Sequence, residues 1–278
     1  EIGNLKSEAM TLGNIGRLYH MRGDFGKALD LYQKSFEIGK SLGSKQIQSL
    51  SMGNLAVLYQ LNGERERALD SHKEALDINR RLGFVSGEVL SLFNVASWYH
   101  EDADYDKAIE YFDNALILIR DNGLEGQEPH CLLNMSLSFH YKGELERAQK
   151  NLVKASNLAI KVNSKIIEDY SRRYLGFVLI DLGELEKAEK QFKTAESIAS
   201  SIGSKVSIAS AKIGLGWIDM IRSSNHDLIV TGIDEAKKLG DTEMILKGQT
   251  GLAMLLIEQN SEPKFAKELL ESARELAE

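Results

Sequence analysis

Four asparagines, Asn14, Asn54, Asn94 and Asn134, stand 40 residues apart, and His20, His100 and His140 fall at one position of the same period, with Gln60 filling the register. An asparagine amide carries both a donor and an acceptor, so it can pair with a peptide unit whatever the side chain beside it. Histidine is a metal ligand, but zinc ligands converge within roughly 2 Å of one ion. Equivalent positions of stacked helices lie about 10 Å apart, so these histidines cannot share a metal; they read as partly exposed polar groups at a groove or a helix end. The single cysteine, Cys131, has no accompanying histidine motif of a thiol enzyme and reads as a small apolar residue on a packed helix. No phosphate-cradling glycine loop, nucleophile elbow or paired metal motif occurs. The expectation is a protein without catalytic residues, metal or cofactor, in which the 23 glycines are repeat punctuation.

The elements that must carry these residues follow from the same period. Glycine recurs as Gly23, Gly63, Gly143 and Gly183, with Ala103 in the one gap, and alanine as Ala28, Ala68, Ala108, Ala148 and Ala188. A period of this size marks a stacked-repeat architecture, in which each unit buries its apolar face against its neighbours. Residues 49–61 are apolar around much of a helix, so that helix is covered on more than one side. Ala68, Leu69, Ala75, Leu76 and Leu82 form one stripe of a following amphipathic helix. Between the two, Gly63 suits the left-handed end of a helix and Glu64 the N-terminus of the next. Each unit is therefore an inner and an outer antiparallel helix.

Small residues mark where backbones approach, at Gly16, Ala56, Ala96, Ser136 and Gly176. Three positions on stand Tyr19, Tyr59, Tyr99, Phe139 and Leu179, and Tyr32, Phe112, Leu152 and Phe192 fill the outer helices. This pattern resembles the tetratricopeptide repeat, in the longer form found in kinesin light chains and spindle-orientation adaptors. The resemblance implies an all-α fold: an α-solenoid, a right-handed superhelix of about seven antiparallel helix pairs with long helices. A single solenoid is expected over 1–278, with five regular repeats in 6–205 and two degenerate ones in 206–278. The sixth repeat lacks the glycine breaker, is three residues short and carries Thr231-Gly232 in its outer helix, which marks it as the weakest joint.

The string GNLAVLYQLNG (53–63) looks like the inner helices of the O-linked N-acetylglucosamine transferase superhelix, where asparagines grip an extended peptide backbone. That resemblance implies the same role for Asn14, Asn54, Asn94 and Asn134; helix-to-helix bonding, or a habit of the repeat, is the alternative for the same residues. In the fifth repeat the position is Tyr174. Selectivity between the rungs is expected from Arg17 near one end, Arg173 near the other, and Ser97 and His100 in the middle. The carboxylate clamp of chaperone adaptors is disfavoured, because its positions hold Arg17, Val57, Ser97, Leu137 and Phe177, three of them apolar.

With 41 acidic and 34 basic residues the net charge is −7, so a phosphate backbone is repelled and nucleic acid is not an expected partner. No apolar run approaches the roughly 18 residues that span a bilayer, so no membrane partner is expected either. One cysteine allows no internal disulfide, which fits a reducing, cytoplasmic setting. The chain opens on EIGNLKSEAM, as if a helix pair were under way, and stops inside a helical pattern, so it reads as a fragment of a larger protein. The expected function is a protein-protein interaction module holding an extended peptide in its concave groove; the alternative is a regulatory or sensor domain of a multidomain signalling or transcription regulator.

Overall fold

A computed structural model describes residues 2–277, and every regular element among them is a helix. The first compact unit, Glu1–Gln127, holds three helix pairs. These are α1 (Ile2–Met21) with α2 (Phe25–Ser41), α3 (Lys45–Leu61) with α4 (Arg65–Leu82), and α5 (Val85–Glu101) with α6 (Tyr105–Asp121). The second unit, Glu128–Glu278, holds four: α7 (Glu128–Tyr141) with α8 (Leu145–Lys161), α9 (Lys165–Asp181) with α10 (Leu185–Ile202), α11 (Lys205–Ser223) with α12 (Asp227–Leu239), and α13 (Thr242–Glu258) with α14 (Pro263–Ala277). Odd-numbered helices are the inner ones. The opening residues, expected to close a preceding pair, instead begin the inner helix α1. No helix among the described residues is long and apolar enough to cross a membrane.

The period-40 landmarks have the packing roles their types require. Ala28, Ala68, Ala108, Ala148 and Ala188 are all fully buried. A Cβ on Gly16 would lie 2.7 Å from the Tyr32 ring, and one on Gly176 would lie 2.6 Å from the Phe192 ring, so each inner helix seats the outer helix's aromatic where its own side chain is missing. Tyr32, Phe112, Leu152 and Phe192 fill that slot in four repeats, and in the remaining one it holds His72, 2% exposed. Gly23, Gly63, Gly143 and Gly183 have φ of 75–83°, the left-handed turn between inner and outer helix, and Ala103 takes the same turn at φ 58°.

The expectation that glycine serves only as punctuation does not hold in α11–α13. A Cβ on Gly216 would stand 2.4 Å from the Ile229 amide nitrogen, and one on Gly232 would stand 2.7 Å from the Ile213 side chain and 3.0 Å from its nitrogen. Gly248 and Gly251 meet Ile233 and the Trp217 indole as closely. At Gly216 and Gly232 glycine lies inside the helix because a backbone atom of the facing helix stands too near for a side chain, and at Gly248 and Gly251 because a neighbouring side chain fills the space. Gly232, which propensity alone marks as a weakness, is the contact surface of α12 on α11. The loop before α12 turns through Ser224 in the left-handed conformation.

Candidate functional site

In the first unit the inner helices bring Asn14, Asn54 and Arg17 together. They border a cavity of about 240 Å³ whose other walls include Met10 of α1, Leu50 of α3 and Leu90 of α5. The amides of Asn14 and Asn54 have no hydrogen-bond partner among the described residues, and neither has Asn94, whose Nδ2 lies 3.7 Å from the position a Cβ on Gly53 would take. Asn14 and Arg17 are exposed; Asn54, Asn94 and Ser97 are half-buried. Donor and acceptor of these three amides are thus without a partner among the described residues.

Beside them runs a stripe that composition did not single out. Met10, Leu50 and Leu90 are 54%, 43% and 50% exposed, one helical turn before Asn14, Asn54 and Asn94. Residues four apart share a helix face, so each rung pairs a free amide with an exposed apolar side chain. The signal was legible as a period-40 recurrence at 10, 50 and 90. It was masked because these inner helices are apolar nearly all round, and periodicity does not tell which apolar residues face out.

The remaining candidates are placed differently. The Asn134 side chain donates to the His130 carbonyl at 2.9 Å, so one of its amide hydrogens is engaged within its own helix α7. Arg173 is 2% exposed. Its Nε donates to Asp169 at 3.2 Å and its Nη1 to Ser210 at 2.9 Å, with the guanidinium 4.4 Å from the Tyr170 ring centroid. It ties α9 to α11 beneath an aromatic cover, and Asp169, one turn earlier, is the partner that a burial-blind reading leaves out. His100 is half-buried, its ring 5.6 Å from that of Tyr105. The histidine position also has a repeat-to-repeat role. Gln60 donates to Glu101, and His140 Nε2 lies 2.5 Å from Asp181, in each case joining residues 41 apart on successive inner helices. Among the described residues no group of three histidine, cysteine or acidic side chains could hold a metal ion.

Known proteins agree with this architecture. Residues 7–81 and 91–125 each match a family model described as Tetratricopeptide repeat, so the chain carries tetratricopeptide repeats. No curated protein sequence matches it. Three solved structures share the fold. The apo form of RapI is 16% identical, with a TM-score of 0.84 and 97% of both chains covered. Aspartyl phosphate phosphatase F from Bacillus subtilis is 11% identical, with a TM-score of 0.85, covering 98% of this chain and 70% of that one. The Rap conjugation gene regulator of the plasmid pLS20, solved with the Phr* peptide, is 17% identical, with a TM-score of 0.76, covering 94% of this chain and 71% of that one. At such identities the likeness is one of fold.

Proposed function

We propose that this protein is an interaction module that binds an extended peptide along its inner helices, with Asn14, Asn54 and Asn94 pairing to the peptide backbone. The observation that carries this is the set of three unpartnered amides at a 40-residue period, each beside an exposed apolar side chain. Rungs about 10 Å apart face a chain rising about 3.3 Å per residue, so every third ligand residue meets an asparagine while Met10, Leu50 and Leu90 take side chains between. Arg17 gives one end a preference for acidic side chains, and Ser97 and His100 contribute toward the middle. Asn134, with its acceptor free, is a separate candidate contact within the second unit. Arg173 would act on a peptide indirectly, by holding α9 against α11. A regulatory or sensor role is favoured by a different observation, the shared fold with a gene regulator solved around a peptide. On either account no reaction, cofactor, nucleic acid or membrane is assigned to the chain, and the buried thiol of Cys131 suits the cytoplasm.

The test is to select decapeptides with free C-termini from a random library against the full chain, then titrate a selected peptide. Each lost hydrogen bond costs about 0.5 to 1.5 kcal/mol, so Asn54→Ala with Asn94→Ala is expected to weaken binding roughly five- to 150-fold with helicity intact. Unchanged affinity would return the asparagines to a purely structural role.

A further inference from the structure

The inner helices of the second unit border a cavity of about 540 Å³, within the size range of small-molecule sites. Phe177 of α9, Trp217 of α11 and Leu246 of α13 give it an apolar wall, and Lys247 of α13 borders it beside them. Phe177 and Trp217 meet edge to face, ring centroids 5.5 Å apart. The Lys247 ammonium lies 3.8 Å from the Phe177 centroid and 5.4 Å from that of Tyr174. Ring faces attract the charge but accept none of its three N–H bonds as a carboxylate would.

The acids that could fix that charge are engaged elsewhere. Glu243, one turn earlier on α13, is placed for an i, i+4 ion pair, yet its Oε1 accepts from the Tyr174 hydroxyl at 2.8 Å. Asp181 of α9 faces His140 of α7, Oδ2 to Nε2 at 2.5 Å. Lys247 is thus half-buried with no ion pair among the described residues. Burial pushes it down to about 8, against the pull of Glu243 and Asp181 and with a further push from Arg173. At pH 7.5 about a quarter of such a side chain is free amine, against about one in a thousand for an ordinary lysine. A lysine desolvated beside apolar walls is the form that attacks carbonyl carbon.

We propose that Lys247 is a covalent capture site for a small apolar aldehyde, whose body lies against Phe177, Trp217 and Leu246 while its carbonyl carbon meets the amine. The amine nitrogen adds to that carbon, a C=N bond replaces C=O, and the oxygen leaves as water with the two amine hydrogens, so no oxidant or reductant is consumed.

The probe is 2-naphthaldehyde with sodium cyanoborohydride, which reduces the imine to a stable secondary amine, added at pH 7.5 to the full chain with Nα-acetyl-lysine amide in the same solution. Mass spectrometry of the digested chain is expected to show Lys247 labelled roughly tenfold or more faster than the added amine and than Lys264, an exposed lysine of α14. With glyceraldehyde, a polar aldehyde that gains little from apolar walls, that preference should fall by about threefold or more. Tyr174→Phe removes one hydroxyl and frees Glu243 to pair with Lys247, so it should slow the labelling by about threefold or more. Asn54→Ala with Asn94→Ala, the pair that tests the peptide groove of the first unit, should leave the labelling unchanged. Labelling of Lys247 no faster than that of the added amine would overturn the proposal in the wild-type chain, without depending on any variant. Equal preference with the two aldehydes would overturn it as well, because the walls would then select nothing.

Discussion

The helix pairs α3–α4 and α11–α12 are built to the same plan and hold together by different means. In α3–α4 the close approach is set by Ala56 and Ala68, both fully buried; Gly63 and Gly83 turn the chain, and Gly53 inside α3 is not crowded, with Asn94 Nδ2 3.7 Å from where its Cβ would stand. In α11–α12 the approach is set by Gly216 and Gly232 inside the helices, with Ile229 and Ile213 as their counterparts, and the turn is made by Ser224. One pair keeps its glycine for backbone conformation and the other for space. The shortened sixth repeat is thus a tighter crossing, whose outer helix has 13 residues where α4 has 18.

The sharpest way to break that comparison is to add one methyl group at the α11–α12 crossing and one at a helical glycine with open space around it. Gly216→Ala places a Cβ 2.4 Å from a backbone nitrogen, which no rotamer change relieves, so a loss of about 3 kcal/mol or more is expected in denaturant unfolding. Gly26→Ala, inside α2 with nothing within 4 Å of the new Cβ, is the matched control. There helix propensity alone acts, and a gain of up to about 1 kcal/mol is expected. Similar losses for both would mean that the α11–α12 crossing is not the reason for glycine there.

The regular region has its own exception at His72. Its imidazole occupies the slot that Tyr32, Phe112, Leu152 and Phe192 fill in the other repeats, and burial pushes it down to about 4 from its ordinary value near 6.5. The folded state holds it neutral while the unfolded chain binds a proton below about pH 6.5. Stability is therefore lost as pH falls from about 6.5 to about 4, by about 3 kcal/mol from this group, and is unaffected by it above that window. Equilibrium unfolding at pH 7 and pH 4.5 should show the loss in the wild type, and His72→Phe should remove most of it. An equal pH dependence in both proteins would assign the acid sensitivity to other groups.

Much of this was legible because a repeat states each packing rule several times. The alanine series, the small residues and the glycine turns each recur at the stated period, so their roles could be read without coordinates. What was not legible depended on facing. Met10, Leu50 and Leu90 are no more apolar than their buried neighbours, and only the crossing of neighbouring helices turns them outward. Arg173 looks like a surface charge in sequence, but its guanidinium is enclosed by Asp169, Ser210 and Tyr170, drawn from two inner helices. Lys247 lies in the last helix pair, where the register has slipped, so no period points to the cavity it borders.

The smallest expected effect tests the turn rule at its one violation. Four of the five turns between inner and outer helices in the regular repeats use glycine, and the fifth places Ala103 at φ 58°, where an L side chain is disfavoured by roughly 1 to 2 kcal/mol. Its neighbourhood is exposed, so packing does not compensate. Ala103→Gly removes that strain but adds freedom to the unfolded chain worth about 0.5 to 1 kcal/mol. The two terms leave a net gain of about 0.5 to 1 kcal/mol, to be seen as a higher denaturation midpoint with an unchanged slope. Gly63→Ala, at φ 79° in the sister turn, should move the midpoint the other way by a similar amount. If Ala103→Gly lowers the midpoint, unfolded-state entropy outweighs the strain at this turn, and the glycines at 23, 63, 143 and 183 need some reason other than backbone conformation.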